Sequence, residues 1–382
     1  MYFYVVRSYT EKEPAQSAND PGHGDTPMPL NRRHFHALAG AAASAAALSP
    51  WLAAHAQAAS SSSLGALHEA AKKEGELTWY IVYLPSEDAE LMSRTFTARY
   101  PGVKVNVVRT TAQVAFQRLN QDLKAKTANC DVFSSTDVAH YLDLKKRKLL
   151  AKYVPAASAS MDKRLQNLDP DGYFHVASVA MVGLVYNTQK VKPEDAPKSW
   201  NDLIDPKWRG LASVGHPGFS GFVGVWAIEM RKLYGDGWFK KLAANKPQVG
   251  RSIIDTVTTV TSGERSIGAG PINLAAMMAD KGNPLAIVAP KEGPVLMLSP
   301  SAIMANAPHP NASKLFMEWL LGSEDVDKLS IERFGVPKRA GAKPRPGVLG
   351  LDDSKTALRP DPQESVDGVP EVIDLWRDAF GV

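Results

Sequence analysis

The sequence has one cysteine, Cys130, in 382 residues, which excludes an intramolecular disulfide and any cysteine-based metal cluster. The neighbours Asp131-Val132-Phe133 read as a buried strand, so the thiol is expected to be structural. Charge of one sign is also scarce. The 44 basic residues barely exceed the 40 acidic ones, for a net charge of +4, which is compatible with an anionic ligand without demanding one. The densest basic run, Lys145-Lys146-Arg147-Lys148, lacks interleaved aromatics and reads as a solvated helix face, which argues against nucleic acid as a partner. Histidines are scattered rather than clustered: His34, His36 and His55 lie near the N-terminus, and His309 in Ala307-Pro308-His309-Pro310 reads as a surface loop. No metal-ligand motif emerges, and neither a resident metal nor a cofactor is expected. Beyond the N-terminal region no stretch is long and apolar enough to span a bilayer.

What is present suits a globular protein. Hydrophobic residues make up 44% and charged residues 22%, and the length allows two domains, each with its own core. From Asn31 the chain reads Arg32-Arg33-His34-Phe35, an uncharged alanine-rich stretch from Ala37 to Ala54, and then the small-x-small steps Ala54-His55-Ala56 and Ala56-Gln57-Ala58. These are the three parts of a cleavable export signal, and the arginine pair points to the twin-arginine route and the periplasm. The polar stretch before Met28 carries no hydrophobic periodicity after Val6, so Met28 is the expected start.

After the serines at 60–63, strand-like and helix-like segments alternate. Leu77 to Tyr83 is rich in β-formers, Leu91 to Tyr100 is amphipathic, Val103 to Val108 reads as a strand, Gln113 to Ala125 as a helix, and Asp131 to Ser134 as a strand. Such alternation implies parallel pairing in a doubly wound sheet, with ligands beyond the carboxyl ends of the strands. After Asp169-Pro170-Asp171-Gly172 comes a long β-like run from Phe174 to Asn187, whose expected return partner is Val295 to Met304. Between them lie helical segments at Val223 to Leu233, Gly237 to Ala244 and Asn273 to Lys281, and another covers Ala312 to Leu329. The predicted fold is α/β and two-lobed, with two doubly wound domains joined by crossover strands. The expected boundaries are 1–58 for extension and signal, 59–172 for the first part of lobe 1, 173–296 for an inserted lobe 2, and 297–382 for the rest of lobe 1 and a tail.

Three segments carry a family resemblance: Gly183-Leu184-Val185-Tyr186-Asn187-Thr188; the run from Pro197 to Gly210, with Ser199-Trp200-Asn201-Asp202-Leu203 and Trp208; and Pro310 to Leu320, with Phe316 and Trp319. In these the chain resembles the periplasmic solute-binding proteins that carry ferric iron, thiamine, phosphonates or sugar phosphates to ABC permeases, which have the type II periplasmic-binding-protein fold. The segments themselves read as structural: Ser199 caps a turn whose tryptophans pack inward, and Asn311 or Ser313 caps a helix. The resemblance implies a small-molecule solute, a transient permease partner in the inner membrane, a monomer and no catalysis. One departure matters. Ferric-binding members have a pair of adjacent tyrosines where this chain reads Asn273-Leu274-Ala275-Ala276, so tyrosine-ligated iron is not expected.

Four loops should reach the cleft. Tyr83 and Ser86 follow the first strand, and Ser135 and Thr136 form a hydroxyl-rich turn before a helix. His216, Gly218, Ser220 and Gly221 combine close backbone approach with neutral donors at a helix start, and Asn273 ends a run of small residues. Tyr186 on the crossover strand could stack on a ligand or pack a hinge. Arg109, Arg251 and Arg265 are possible carboxylate or phosphate partners that sequence alone does not place. The stretch Gly218-Phe219-Ser220-Gly221-Phe222 nearly spells a hydrolase elbow but lacks the last glycine. An exported enzyme, or a sensory binding protein, is therefore the alternative to solute capture for import.

Overall fold

The computed structural model describes residues 63–381 except 335, 347 and 353–356, so the expected export signal and its cleavage steps lie outside the described residues. The chain divides into units 1–66 and 67–382. Of the first, only residues 63–66 are described, and they are helical. Everything below concerns the second unit, which begins with the helix α1 (67–74).

Strands β1 (Glu76–Ile81), β2 (Lys104–Arg109) and β3 (Val132–Ser134) alternate with helices α2 (Ser86–Arg99), α3 (Ala112–Lys124) and α4 (Val138–Lys146). Their pairings β2-β1-β3 are parallel, as expected of strand–helix alternation. In the second lobe β5 (Ala212–Gly215) lies between β6 (Gln248–Gly250) and β7 (Ile267–Pro271), again in parallel, with α5 (Gly221–Tyr234), α6 (Gly237–Ala244), α7 (Ile253–Thr261) and α8 (Ile272–Asp280) around them. Two long strands run antiparallel to each other between the lobes, β4 (His175–Asn187) and β9 (Val295–Ile303). β9 pairs with β3 of the first lobe, while the far end of β4 pairs with β7 of the second and with β8 (Leu285–Val288). The nine strands of the described residues therefore form one mixed sheet in the order β2-β1-β3-β9-β4-β7-β5-β6, with β8 on β4. Two parallel units joined by two crossing strands are the two-lobed α/β architecture anticipated above.

Each lobe has its own core. In the first, Phe133, Tyr141 and Phe174 pack on one sheet face, and on the other Phe316 and Trp319 of α9 (Pro310–Gly322) meet Trp79 and Phe96 at ring separations of 5.1–5.4 Å. In the second, Trp200, Leu203 and Trp208 enter the core behind a capping box of Ser199 and Asp202, as the sequence indicated. Helix α10 (Glu324–Leu329) follows α9.

Three local expectations differ. No cap comes from Asn311 or Ser313. The Glu74 carboxylate instead accepts from the Asn311 and Ala312 N–H groups at 3.1 and 2.7 Å, because an anion suits the positive helix start. His309 does lie in a loop at the surface, but it is anchored there: its N–H and Nδ1 lie 2.7 and 2.9 Å from the buried Asp131 carboxylate, which also accepts from Thr78 N. Third, the C-terminal tail contains a long helix, α11 (Pro362–Phe380), started by a capping box of Asp361 and Glu364. It buries Val369, Val372 and Trp376 in the second-lobe core. Close approach to α5 depends on two glycines: a Cβ on Gly224 would meet Val369 at 3.1 Å, and one on Gly368 would meet Ile228 at 3.0 Å.

Candidate functional site

The carboxyl ends of β1, β2 and β3 face the starts of α5 and α7 across the lobes. There Val82, Tyr83, Arg109, Thr111, Ala112 and Thr136 of the first lobe enclose, with Phe219, Ser220, Phe222 and Ser252–Ile254 of the second, a narrow cavity with an empty volume of about 360 Å³. A neighbouring cavity of about 500 Å³ shares Tyr83, Phe222 and Ile254 and extends over the crossing strands to Ser178, Ser299, Asn273, Asp88 and Arg333.

Three helices begin at the first cavity, and their starts differ. Ser252 caps α7 by accepting from Ile254 N, with Asp255 reciprocating. Thr111 and Ser220, at the cap positions of α3 and α5, make no side-chain capping bond. The first-turn N–H groups of those two helices, which have no intrahelical acceptor, are therefore left for another partner. The Thr111 hydroxyl is itself buried without a hydrogen bond. The Tyr83 hydroxyl is too: it lies near Ser134 and Ser301 without reaching bonding geometry to either, and burial raises its pKa well above the ordinary phenol value.

Arg109 supplies the charge. Its Nε donates to the Leu84 carbonyl at 2.8 Å, which anchors the guanidinium at the end of β2 with its terminal nitrogens remaining. Among the described residues no carboxylate lies within ion-pair distance of it. Burial lowers its pKa, and the more distant charge of Asp255 opposes that shift. The arrangement offers one planar cation, several hydroxyls and two uncapped helix starts, which together can hold a small oxyanion.

Of the residues singled out from sequence, Tyr83, Thr136 and Ser220 line the first cavity, and Tyr83 and Asn273 the second. Gly221 adjoins it: a Cβ there would lie 2.8 Å from the Thr136 carbonyl oxygen, across the two lobes. Ser86 is exposed at the start of α2 and caps nothing, since the cap position falls on Pro85. Ser135 is buried behind the cavity, its hydroxyl 2.9 Å from His140 Nδ1. Tyr186 packs in the second-lobe core. His216 Nδ1 accepts from Gly218 N at 2.9 Å, and its ring contacts Phe219 and Trp376, so His216 and Gly218 shape their own loop. Burial lowers the His216 pKa. Arg251 lies over the Phe219 ring at 5.1 Å, and Arg265 bonds locally to Glu264. Thr111 and Ser252 were not singled out, although Ser252-x-x-Asp255 is a readable capping-box pattern. Among the described residues no group of three His, Cys, Asp or Glu is placed to hold a metal ion.

Comparison with known proteins follows the same lines. A family model described as "Bacterial extracellular solute-binding protein" matches residues 128–345, more than half of the chain. The periplasmic binding protein AfuA from Actinobacillus pleuropneumoniae, solved with fructose-6-phosphate bound, superposes with a TM-score of 0.70 at 23% identity, over 81% of this chain and 99% of that one. Iron-bound HitA from Pseudomonas aeruginosa gives 0.68 at 20% identity, over 80% and 99%. An uncharacterized protein of Haemophilus influenzae is 29% identical over 159 residues, 39% of this chain and 46% of that protein; the match thus spans under half the length of this curated relative. At such identities the structural likenesses establish the two-lobed fold and leave the solute open.

Proposed function

The chain belongs to the bacterial extracellular solute-binding protein family, and on that premise we propose that it captures a small organic anion between its lobes, closes on it by a hinge in β4 and β9, and presents it to an ABC permease. The observation that carries the anionic part is Arg109. A partly buried guanidinium without a facing carboxylate among the described residues, sharing its cavity with two hydroxyls that lack partners, those of Thr111 and Tyr83, and with two uncapped helix starts, is an incomplete electrostatic arrangement that an oxyanion would complete. The second cavity, floored by Ser178 and Ser299 and edged by Asn273, would take the uncharged part of the solute. Among the described residues Tyr83 is the one phenol lining either cavity, which favours an organic anion over a ferric ion held by paired tyrosines. Function as a monomer and export through the twin-arginine route belong to the same reading.

The test is a thermal-shift screen of the purified protein against sugar phosphates, phosphonates, carboxylates, thiamine and ferric iron with and without citrate. A ligand at a hundredfold excess over its Kd stabilises the folded state by about 2.7 kcal/mol, enough to move the melting midpoint. The hit is expected to be an organic anion, and Arg109→Gln should weaken it about 10- to 100-fold, the range of a charge-assisted hydrogen bond. A ferric-iron hit unaffected by that substitution would overturn the anionic reading.

A further inference from the structure

Two segments that line the first cavity, one around Thr111 and one around Thr136, are tied together behind it by a buried polar cluster centred on His140. Its Nδ1 lies 2.9 Å from Ser135 Oγ, and its Nε2 3.0 Å from Gln113 Oε1. Gln113 donates from Nε2 to Asp137 Oδ2 at 3.3 Å, Asp137 N donates to Ser135 Oγ at 3.3 Å, and Asp137 Oδ1 caps α4 by accepting from Ala139 N. These partners fix the protons. Because the Gln113 NH2 group faces the Asp137 carboxylate, the atom turned to His140 is Oε1, which can only accept, so His140 carries hydrogen on Nε2 and its Nδ1 accepts from the Ser135 hydroxyl. Phe116 stacks on the imidazole at 4.0 Å and 9°.

We propose that His140 is a positioning residue that sets the spacing between the Thr111 and Thr136 edges of the cavity through its two ring nitrogens, without touching the solute. The inference rests on reading that cavity as the solute site. Thr136 lies between Ser135 and Asp137, both held by the cluster, and Gln113 is two residues beyond Thr111, which lines the cavity and whose buried hydroxyl has no partner. The two edges come from different strand–helix connections, and the cluster bonds one to the other directly. Thr136 also meets Gly221 of the opposite lobe, so the same spacing reaches the closing surface. The charged groups facing the ring are Asp137, with Oδ2 3.5 Å from Nε2, and Asp143 on its own helix; Gln113 and Phe116 of α3 and Phe133 of β3 bring none. Burial outweighs both carboxylates and lowers the pKa, so the cation forms only below the ordinary imidazole range. There Nδ1 becomes a donor, and the Ser135 hydroxyl loses its acceptor.

The test compares the full chain with its His140→Phe and Gln113→Met variants. Sulfate is titrated calorimetrically from pH 7.5 downward as far as the protein stays folded and sulfate stays a dianion, and hydrogen exchange is followed without ligand in peptides covering 109–116 and 132–141. Wild type is expected to lose sulfate affinity toward the acid end. Both variants should bind at least tenfold more weakly at pH 7.5, His140→Phe should lack the acid loss, and both should exchange faster in the two peptides together. Unchanged affinity and pH profile in His140→Phe, or faster exchange confined to 132–141, would reduce the ring to core packing and overturn the proposal. If wild type binds no sulfate at any pH, the simple anion reading fails, and the exchange pattern alone decides between positioning and packing. Should His140→Phe not fold, Gln113→Met, at a half-buried position, carries the affinity and exchange comparisons, and unchanged affinity with exchange faster only in 132–141 would overturn the proposal.

Discussion

Lys338 is 1% exposed, and burial lowers its pKa from 10.5 to about 8 although Asp327 opposes the shift. Below pH 8 the ammonium is charged in both folded and unfolded chains, so the full desolvation penalty weighs on the fold. Between pH 8 and 10.5 the unfolded chain holds the proton and the folded one has released it, so stability rises with pH until the penalty is gone. Lys338→Met, which keeps the apolar stem, is therefore expected to stabilise the protein by roughly 3 kcal/mol at pH 7, with the two proteins converging toward pH 10.5. Urea denaturation at pH 7, 9 and 10.5 measures this, and a pH-independent difference would mean that the gain comes from packing. The same residue scale shows what sequence can and cannot place. Tyr83, Thr136, Ser220 and Asn273 were readable because they follow the carboxyl ends of strands, and the structure puts them on cavity walls. Ser135, next to Thr136 in the same turn, points to His140 instead. Which of two adjacent hydroxyls faces a cleft depends on one backbone torsion, and no residue pattern encodes that. Arg109, Arg251 and Arg265 were equivalent in sequence; only the register of β2 with β1, which sets Arg109 opposite Ile81, distinguishes the first.

Elements with strong periodicity were legible within a few residues, and the least legible was α11. Its interior contains Gly368 and Pro370, both poor helix formers, in a tail dense with proline and charge. Yet Val369, Val372, Trp376 and Phe380 recur at helical spacing, a signal that outweighs local propensity once a core is available to receive it. Trp376 is fully buried, stacks on Phe380 at 4.4 Å, and touches Phe239 and His216. Trp376→Ala should cost about 3–5 kcal/mol, as for other large-to-small core changes, read from the shift in urea midpoint. Because the ring also backs the His216 loop that leads to Ser220, the loop should lose protection from hydrogen exchange in the same variant. A cost under about 1 kcal/mol would mean that the tail helix is an appendage rather than part of the second-lobe core. The crossing strands were easier to read, since an apolar run from Phe174 to Asn187 is longer than one lobe of a parallel sheet needs.

At the scale of the whole molecule, the proposed closure needs the lobes to meet without a wedge between them, and one close meeting point is Gly221 against Thr136. A Cβ on Gly221 would lie 2.8 Å from both the carbonyl oxygen and the hydroxyl of Thr136, and the carbonyl belongs to backbone fixed by the sheet and by Asp137. A side chain at 221 cannot be relieved by trimming Thr136, so the lobes must part by a few tenths of an ångström or more. Gly221→Ala is expected to leave the unliganded protein as stable as wild type, because an opened cleft removes the clash. With solute present, affinity should fall at least tenfold, and the decrease in radius of gyration that the proposed closure predicts for wild type in X-ray scattering should shrink or vanish. Retained compaction with weakened binding would place the effect of Gly221 on the donors at the start of α5 rather than on closure. Loss of both together would mean that contact between the lobes, as well as the groups proposed to touch the solute, sets how tightly this protein holds it.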